Sequence, residues 1–286
     1  MKEHGNDSAE QRRGDAAAGA GRLSGDRPVR LQRERPDRPG DGVPAARHGG
    51  LLWQRAGGGR AVRESGLARE EVFLTSKVWI QDAGYDRTLR SFGKTLENLG
   101  TDYLDLYLIH MPFGDYHGSW RAMEELLRAG KVRAIGVCNF LPDRLCDLIL
   151  SHEVVPAVNQ IELHPFCQQR ALRRLMGQYQ IRPMAWAPFA EGMNGMFRHP
   201  VLSAIGAQYG KTPAQAVLRW LRQEGVIAIP KSVHAQRIRE NSAVDGFRLS
   251  PADMVQIQAL DLGRSLILDV SSVNEVYRLH GIRFEQ

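Results

Sequence analysis

Residues 102–140 read DYLDLYLIHMPFGDYHGSWRAMEELLRAGKVRAIGVCNF, and this stretch decides the fold. It begins with an apolar run, Leu104–His110, and ends with another, Val132–Val137. Short apolar runs rich in β-branched and aromatic residues are typical of buried strands, whereas Trp120–Ala129 between them has its large apolar side chains at helical spacing. The glycine that follows, Gly130, is a common helix stop. The order strand, helix, strand predicts a βαβ unit with parallel strands.

The same alternation runs from Arg60 towards the C terminus. Six strands are predicted, at Glu71–Lys77, Leu104–His110, Val132–Val137, Ala157–Leu163, Pro183–Ala187 and Val226–Pro230. Asp86–Leu99 is predicted as an amphipathic helix, and Thr212-Pro213 and Ser250-Pro251 predict helix starts, because each pairs an N-cap residue with a following proline. Six strand–helix units without a glycine-rich nucleotide fingerprint favour a (β/α) barrel over a doubly wound sheet. The predicted barrel domain covers residues 60–286.

Length and composition exclude several classes of protein. The chain has 286 residues, of which 43% are apolar and 24% charged, and these ordinary globular values exclude a fibrous or wholly disordered protein. No run of 18 or more apolar residues occurs, so no membrane span is expected. No secretory signal is visible, and the 3 cysteines form neither a disulfide framework nor a metal-ligand spacing. We therefore expect a cytoplasmic protein without a metal.

The basic charge is unevenly distributed. The net charge is +6 and the pI about 9.4, but residues 1–59 contain 10 Arg and 1 Lys against 5 Asp and 3 Glu, 12 of the 29 glycines and one aromatic side chain, Trp53. With so few large apolar side chains, this segment is predicted to be disordered and separate from the barrel. Its arginines alternate with acidic residues and prolines, and no basic stripe with interleaved aromatics occurs, so no nucleic-acid partner is expected.

Polar and aromatic side chains mark the ends of the predicted strands. In a barrel of parallel strands the carboxyl ends meet at one mouth, where active sites lie. The residues at these ends are Lys77, His110, Asn139, Gln160, Trp186 and Lys231. Taken singly, each has an ordinary explanation: a solvated or core-satisfied charge, a turn residue at Asn139, a core aromatic at Trp186. Six at equivalent positions indicate a candidate site.

Five stretches of the sequence resemble the aldo/keto reductases, a family of (β/α)8 barrels that use NADPH. They are Leu74–Lys77 (LTSK), Asp102–His110 (DYLDLYLIH), Gly130–Phe140 (GKVRAIGVCNF), Val158–Pro165 (VNQIELHP) and Ile229–Ser232 (IPKS), the last leading to Arg237 and Glu240-Asn241. The local pattern, including PFGDY at 112–116, is most similar to bacterial reductases of the 2,5-diketo-D-gluconate reductase type. The resemblance implies a small-molecule carbonyl substrate and a monomer. It also identifies Ser265–Gln286 as a C-terminal loop that shapes substrate choice.

The resemblance assigns two residues to the chemical step. Reducing a carbonyl requires hydride on carbon and a proton on the developing alkoxide. In the family the proton comes from a tyrosine whose pKa is lowered by a lysine that is itself paired with an aspartate. Lys77 matches that lysine, and His110 matches the residue that orients the substrate carbonyl.

The resemblance assigns four further residues to the nicotinamide. Asn139 and Gln160 match the pair that holds the carboxamide, and Trp186 matches an aromatic side chain that stacks on the ring. The position before Asn139 is usually serine in the family, but it is Cys138 here. A thiol is a weaker hydrogen-bond donor than a hydroxyl, so slightly looser carboxamide binding is expected.

A phosphate site is predicted after the last strand. Barrels often bind phosphate in the loops after their last two strands, at a helix N-terminus, and Lys231, Ser232 and Arg237 cluster there. Arginine suits the bidentate geometry of an adenosine 2′-phosphate, which favours NADPH over NADH. Glu240 and Asn241 resemble the family's adenine contacts. The alternative is that Arg237 and Glu240 belong to a solvated helix face.

The family's catalytic aspartate and tyrosine are missing from the printed sequence. They belong to a pattern like GYRxxDTAxxYGNE on the second strand of the barrel, and residues 1–59 contain neither. Tyr85 and Tyr103 lie beyond Lys77 in other contexts and are not assigned to the role. We therefore expect a barrel without its first two strands, with unpaired, aggregation-prone edges near Lys77 and Pro230.

The missing residues are recovered in a shifted reading frame. Reverse-translated and moved forward by one nucleotide, Gly40–Gly59 (GDGVPAARHGGLLWQRAGGG) can be read as ATGYRQLDTAAYYGNERAVG, and residues 11–25 as NGVEMPLLGLGVYQV. We hypothesise that residues from about 10 to 59 are a frameshifted reading. The main prediction is thus an NADPH-dependent carbonyl reductase whose printed chain is impaired. The alternatives are a catalytically silent NADP(H)-binding regulatory barrel and, on weaker grounds, nucleic-acid binding through the basic N terminus.

Overall fold

The computed structural model describes residues 59–284, which begin with a helical segment at 59–64. The predicted disorder and the frameshift hypothesis concern residues that, apart from Gly59, lie outside this range. Within it, six parallel strands form one sheet in chain order. They are β1 (Thr75–Val78), β2 (Leu106–Ile109), β3 (Ile135–Cys138), β4 (Val158–Glu162), β5 (Arg182–Trp186) and β6 (Ile227–Ala228).

Helices follow the strands as the βαβ pattern predicts. They are α1 (Tyr85–Leu99), α2 (Tyr116–Arg128), α3 (Pro142–Ser151), α4 (Arg170–Gln178), α5 (Pro200–Gln208), α6 (Pro213–Gln223), α7 (Ala235–Ser242), α8 (Pro251–Gln258) and α9 (Val273–Gly281). The two predicted helix starts are confirmed, because Thr212 caps α6 and Ser250 caps α8, each with proline next to the cap. No helix among the described residues is long and apolar enough to span a membrane.

Five of the six strands are shorter than the apolar runs that predicted them, and β5 has the predicted length but begins one residue earlier. Glu71 was predicted to open the first strand, but it ends a 3-10 helix, Arg69–Glu71, and the strand begins at Thr75. Leu104 was predicted to open the second, yet it forms only an isolated bridge with Val132 before β2 begins. The two corrections differ in cause. Leu104 is fully buried although it lies outside the ladder, so burial there extends beyond the hydrogen bonds of the strand. Glu71 is exposed and belongs to the short helix that precedes the strand.

The sheet is apolar on both faces, as parallel sheets usually are. One face packs against the helices, with Tyr107, Ile109 and Val137 in the main core. The other face is lined by a smaller cluster of side chains from successive strands, which are Leu106, Leu108, Cys138, Val158 and Met184. Alternate strand residues therefore point to the helices and to the interior of the curved sheet, as in a barrel.

The barrel is not closed within residues 59–284. Strand β1 pairs only with β2, and β6 pairs only with β5, so the sheet has two free edges in the described part of the chain. A (β/α)8 barrel needs eight strands, and six are present in this range. The predicted incomplete barrel is thus confirmed for the described residues.

Candidate active site

The carboxyl ends of the first three strands bring the predicted residues to one edge of the sheet. Lys77 lies one residue before the end of β1 and is paired with Leu108 of β2. His110 directly follows β2, and its backbone N–H donates to the carbonyl of Val78. Asn139 directly follows β3. Parallel pairing therefore places these three side chains at neighbouring strand ends.

The carboxamide of Asn139 joins two of these strand ends. Its Nδ2 donates to the backbone carbonyl of His110 at 3.2 Å, and its Oδ1 accepts from Nε1 of Trp186 at 2.8 Å. Its backbone has a φ of 62°, in the left-handed region that asparagine tolerates better than most residues. Asn139 is also buried, with 7% of its surface exposed. A simple surface turn residue, the alternative weighed for this position, would not be enclosed in this way.

Gln160 lies in the middle of β4 and not at its end, so that part of the sequence prediction is wrong. The strand continues to Glu162, which has the terminal position. Gln160 is nevertheless paired with Cys138 and Met184 on the adjoining strands and is buried. Its Nε2 donates to the Met184 sulfur at 3.1 Å, and its Oε1 accepts from the Cys138 thiol at 3.5 Å. Sulfur is a weak hydrogen-bond partner in both contacts, so neither strongly fixes the carboxamide of Gln160.

The Cys138 thiol is fully enclosed in the protein. Burial raises the pKa of this thiol to about 12, although the positive charge of Lys77 acts in the opposite direction. The side chain is therefore a neutral thiol at physiological pH and serves as a hydrogen-bond donor, not as a nucleophile.

An aromatic wall that was not predicted stands over His110. The Trp79 indole meets the His110 ring edge-on, with centroids 4.9 Å apart, and the Phe284 ring meets Trp79 at 5.2 Å. Trp79 follows the strand that carries Lys77, so its position at a strand end was a usable signal. Phe284 lies more than 200 residues further along the chain, and no local pattern connects the two.

The predicted phosphate and adenine residues lie together after β6. Lys231 and Ser232 occupy the loop between β6 and α7, and Arg237 lies in the first turn of α7 with its side chain exposed. The Ser232 hydroxyl accepts from the backbone N–H of His234 at 3.2 Å, which shapes the turn into the helix. Because β6 is parallel to β5, this loop leaves the sheet at the same edge as Trp186.

The two adenine-type residues lie on the same helix. Glu240 and Asn241 are in the last turns of α7, and both are half-buried. The carboxylate of Glu240 accepts from the side-chain amide of Gln236 at 2.8 Å, one turn earlier. The residues that the sequence predicts for the phosphate and the adenine thus lie together in α7 and the loop before it. They are separate from the group of strand-end residues around Asn139.

The two tyrosines near Lys77 in sequence have other partners. The Tyr85 hydroxyl hydrogen-bonds the carboxylate of Glu125, and this bond raises the pKa of the phenol. The guanidinium of Arg69 lies 3.8 Å from the centre of the Tyr103 ring. Neither contact directs the phenol to the Lys77 end of the sheet, in agreement with leaving both out of the proton-donor role.

His117 and His152 form a pair that the sequence did not indicate, and His152 is the more enclosed of the two. Its side chain is only 6% exposed, and its Nε2 lies 2.9 Å from Nδ1 of His117. The other nitrogen of His117 contacts Asp147 at 3.0 Å, and Nδ1 of His152 faces Glu124 at 3.8 Å. Packing of α2 against α3 encloses this pair, so its burial is a tertiary effect. Within residues 59–284, no three His, Cys, Asp or Glu side chains are arranged to hold a metal ion.

The chain is similar to known proteins in sequence and in fold. Residues 58–262 match the Aldo/keto reductase family. A glyoxal reductase from Bacillus subtilis is 47% identical over 206 residues, which are 72% of this chain and 74% of the relative. A Bombyx mori aldo-keto reductase solved in complex with NADP has 31% identity and a TM-score of 0.72, covering 77% of this chain and 78% of its own. A putative 2,5-diketo-D-gluconic acid reductase B gives 32% identity and a TM-score of 0.72, covering 76% and 78%.

Proposed function

This chain belongs to the aldo/keto reductase family, and we propose that its site binds NADPH and a small aldehyde or ketone in the manner of an NADPH-dependent carbonyl reductase. The observation that carries the proposal is the hydrogen-bonded group His110, Asn139 and Trp186 at the carboxyl ends of three parallel strands. Relatives support it, since one is named a glyoxal reductase and another was solved with NADP.

The residues present suit a nicotinamide nucleotide. Asn139 and Gln160 offer two buried carboxamides for the nicotinamide amide, and the half-buried Trp186 offers a flat apolar face for the ring. Cys138 adds a neutral thiol donor beside them. Bound NADPH would supply the hydride. The protein groups fix the position of its ring and exclude water from it.

The second group of residues suits the phosphates and the adenine. Lys231, Ser232 and the N-terminal turn of α7 offer cationic, hydroxyl and backbone donors to a phosphate. Arg237, which is exposed on that turn, is available for the 2′-phosphate that distinguishes NADPH from NADH. Glu240 and Asn241 contact the adenine in this proposal.

Proton transfer to the alkoxide is the step of the proposed reaction that this chain performs poorly. His110 would orient the carbonyl oxygen, and the Lys77 ammonium would stabilise negative charge that develops on it. The family's tyrosine acid is absent from the printed sequence, so the alkoxide has no dedicated proton donor. We therefore propose that nucleotide binding is retained, whereas turnover is about 10²- to 10⁴-fold below that of an intact family member.

A second candidate function is a catalytically silent, NADP(H)-binding regulatory protein. It is favoured by one observation: the proposed nucleotide residues are all present, while the proton donor is not. In both candidates we propose a monomeric, cytoplasmic protein that does not bind nucleic acid.

Titration with NADPH tests both candidates. We expect quenching of tryptophan emission with a micromolar Kd, because Trp186 would lie against the nicotinamide. Oxidation of NADPH is then followed with glyoxal, the compound that gives the Bacillus subtilis relative its name. Slow glyoxal-dependent oxidation supports an impaired reductase, whereas binding with no turnover supports the silent protein. Absence of NADPH binding would contradict both.

A further inference from the structure

An open polar pocket lies on the helical side of the molecule and shares no residue with the candidate active site. Its volume is about 390 Å³, and it is lined by the first residue of α1, by one face of α2 and by the residues at the end of α3. Volumes of this order hold small organic molecules. The side chains of this pocket have no part in the proposed function, so their chemistry has to be explained separately.

A buried carboxylate and a buried imidazole face each other in this pocket. The side chains of Glu124 and His152 are each only 6% exposed, and Oε2 of the first lies 3.8 Å from Nδ1 of the second. This separation is too long for a hydrogen bond. The other polar atoms are engaged: Oε1 of Glu124 accepts from the N–H of Val154 at 3.0 Å, and Nε2 of His152 lies 2.9 Å from Nδ1 of His117. Within residues 59–284, the two facing atoms have no hydrogen-bond partner.

A chain of hydrogen bonds makes Nδ1 of His152 an acceptor. The carboxylate of Asp147 accepts from the Tyr116 hydroxyl at 2.8 Å and lies 3.0 Å from Nε2 of His117, and these two bonds lower the pKa of Asp147. In a neutral imidazole one nitrogen donates and the other accepts. The neutral His117 therefore donates to Asp147 through Nε2 and accepts through Nδ1, which leaves Nε2 of His152 as the donor in the contact between the two rings.

Nδ1 of His152 consequently presents a lone pair to the pocket. Burial lowers the pKa of His152, which keeps this ring neutral at physiological pH. The distance to Glu124 agrees with this assignment. An N–H on Nδ1 would bring the carboxylate to about 2.8 Å, whereas the two atoms lie 3.8 Å apart.

Two acceptors that face each other require a donor with at least two hydrogens. A primary ammonium group has three N–H donors and no acceptor, so it can bond to Glu124 and to His152 at once. Its charge also balances that of the enclosed carboxylate, which is costly to bury without a hydrogen-bonded partner. Arg128 does not fill this role, because its guanidinium is 3.8 Å from Oε2 of Glu124 and its side chain is 63% exposed.

The exposed part of the pocket has charges of both signs. Glu125 is already engaged, since it accepts from the hydroxyl of Tyr85. Arg121 is exposed on the same pocket and forms no ion pair with any residue in the range 59–284. Two arginines, Arg121 and Arg128, would repel an amine that carried only positive charge. A carboxylate elsewhere in the ligand removes this repulsion and gives Arg121 a partner.

We propose that this pocket binds a small zwitterion, an amino acid with its primary ammonium and its carboxylate at opposite ends. The ammonium lies between Glu124 and His152, and the carboxylate contacts Arg121. Hydrogen bonds between charged groups are roughly twice as strong as neutral ones, so the two charged ends contribute most of the affinity. The proposal is independent of the proposed function, because none of the strand-end residues lines the pocket.

Three probes with the same carbon chain test the proposal by calorimetry on the full-length protein at pH 8. They are 4-aminobutanoate, butylamine, which lacks the carboxylate, and butanoate, which lacks the ammonium. We expect 4-aminobutanoate to bind with a Kd of about 1 mM or lower and at least about tenfold more tightly than either control compound. Glu124→Gln replaces the anion with an amide that can itself donate to His152, and it should weaken 4-aminobutanoate binding at least about tenfold. Glu97→Gln, which changes an exposed carboxylate on α1, is the matched control and should leave the affinity unchanged.

An exposed variant keeps the test open if Glu124→Gln does not fold. Arg121→Gln should reduce the affinity for 4-aminobutanoate to that for butylamine, whereas Arg90→Gln, an exposed arginine on α1, should not change it. Nitrogen NMR of the imidazole rings examines the other end of the ligand. Nδ1 of His152 should give the signal of an unprotonated nitrogen, and this signal should shift when 4-aminobutanoate is added but not when butanoate is added.

Several results would overturn the proposal. They are no binding of 4-aminobutanoate to the wild type, equal affinity for the three probes, equal affinity of Glu124→Gln and Glu97→Gln, and unchanged affinity in Arg121→Gln. A protonated Nδ1 of His152 in the free protein would overturn it as well. The binding of NADPH is measured separately, so a failure of the proposed function would leave each of these results interpretable.

Discussion

The Trp186 indole donates a 2.8 Å hydrogen bond to the carboxamide oxygen of Asn139, and the same carboxamide donates to the backbone of His110. Three strand ends, those of β2, β3 and β5, are thereby joined through one side chain. The left-handed backbone of Asn139 turns its amide into this position, and the two bonds hold it there. The two bonds therefore fix the orientation of the Asn139 carboxamide, and under the proposed function a fixed carboxamide would lower the entropic cost of nucleotide binding.

Removing the indole donor should weaken nucleotide binding. Trp186→Phe keeps a flat aromatic face but leaves Oδ1 of Asn139 without its donor, and we expect the Kd for NADPH to rise by about three- to tenfold. Trp186→Ala removes the aromatic face as well and should raise the Kd for NADPH further. Fluorescence of bound NADPH measures both constants. Equal affinity of Trp186→Phe and wild type would show that the hydrogen bond does not organise the site.

Arg237 should discriminate between the two nicotinamide cofactors. Only NADPH carries the 2′-phosphate, so Arg237→Ala should raise the Kd for NADPH about 10- to 100-fold and leave that for NADH unchanged. Arg239 is exposed on the same helix, and Arg239→Ala is the matched control for a general loss of positive charge. Equal losses for NADPH in the two variants would indicate a solvated helix face instead of a specific phosphate contact.

Local patterns predicted most of the fold, because they depend on neighbouring residues. Thr212 and Ser250 cap their helices as expected, since a cap and a following proline act within one turn. The strand ends were less predictable: Leu104 is buried and Glu71 is exposed, and both lie outside the ladders. A hydrogen-bond ladder depends on a partner strand, and a single run of sequence does not contain that partner.

The site was predictable wherever one residue at a strand end was sufficient. His110, Asn139 and Trp186 were found from position alone, and the structure joins them through hydrogen bonds. The contacts of Glu162 were not predicted, although it lies in a quoted motif, because its donors at Ser265–Leu268 are about a hundred residues away. The burial of His152 was missed for the same reason, since α2 and α3 create it together.

A methyl group on Gly136 should destabilise the sheet. Gly136 lies in β3, and an added Cβ would lie 2.6 Å from the backbone oxygen of Val158 and 2.9 Å from a methyl group of Leu108. Because the oxygen belongs to the neighbouring strand, it has little freedom to move. Gly136→Ala should lower the free energy of unfolding by about 1–3 kcal/mol. Gly93→Ala, in α1 with nothing within 4 Å, should raise it by up to about 1 kcal/mol. Urea unfolding distinguishes the two signs, and two equal midpoints would contradict the prediction.

The His117–His152 pair should make stability depend on pH. Burial lowers the pKa of His152, and the nearby Glu124 opposes this shift without cancelling it. The unfolded chain therefore takes up this proton at a higher pH than the folded chain does. The contribution of the neutral His152 side chain to the free energy of unfolding is complete above the ordinary histidine pKa of about 6.5. It is lost as the pH falls through the lower pKa that His152 has in the folded protein.

The pH effect is measured with a neutral replacement. The free energy of unfolding of the wild type should fall between pH 7.5 and pH 5.5, and His152→Gln should show a smaller fall over the same interval. His234→Gln, at an exposed position before α7, is the control and should keep the wild-type slope. If His152→Gln also showed the wild-type dependence of the free energy of unfolding on pH, the titration of His152 would not contribute to stability.

Restoring the shifted frame should restore catalysis. A chain in which residues 10–59 are replaced by the shifted reading, including ATGYRQLDTAAYYGNERAVG, would gain an aspartate and a tyrosine ahead of Lys77 and two further strands. A tyrosine acid placed beside Lys77 should raise the rate of glyoxal reduction by about 10²- to 10⁴-fold over the printed chain. Closing the sheet between β1 and β6 should also raise the fraction of protein that is soluble, because both free edges gain a neighbour.

The two gains are separable, and this makes the test decisive. The control is the same restored chain with phenylalanine in place of the second tyrosine of YYGNE, which is the fifth residue after the aspartate. This chain keeps both strands and should be equally soluble. It should nevertheless reduce glyoxal at the low rate of the printed chain. Activity that returns in both restored chains would assign the proton to another group and refute the role of the tyrosine. Solubility and activity that stay low in both would refute the frameshift hypothesis, since the shifted segment would then not be the missing part of this barrel. Sequencing the gene over codons 10 to 60 decides independently whether the shift is present in the organism, because a gene that encodes DTAAYYGNE in frame would make the printed segment an error of sequence.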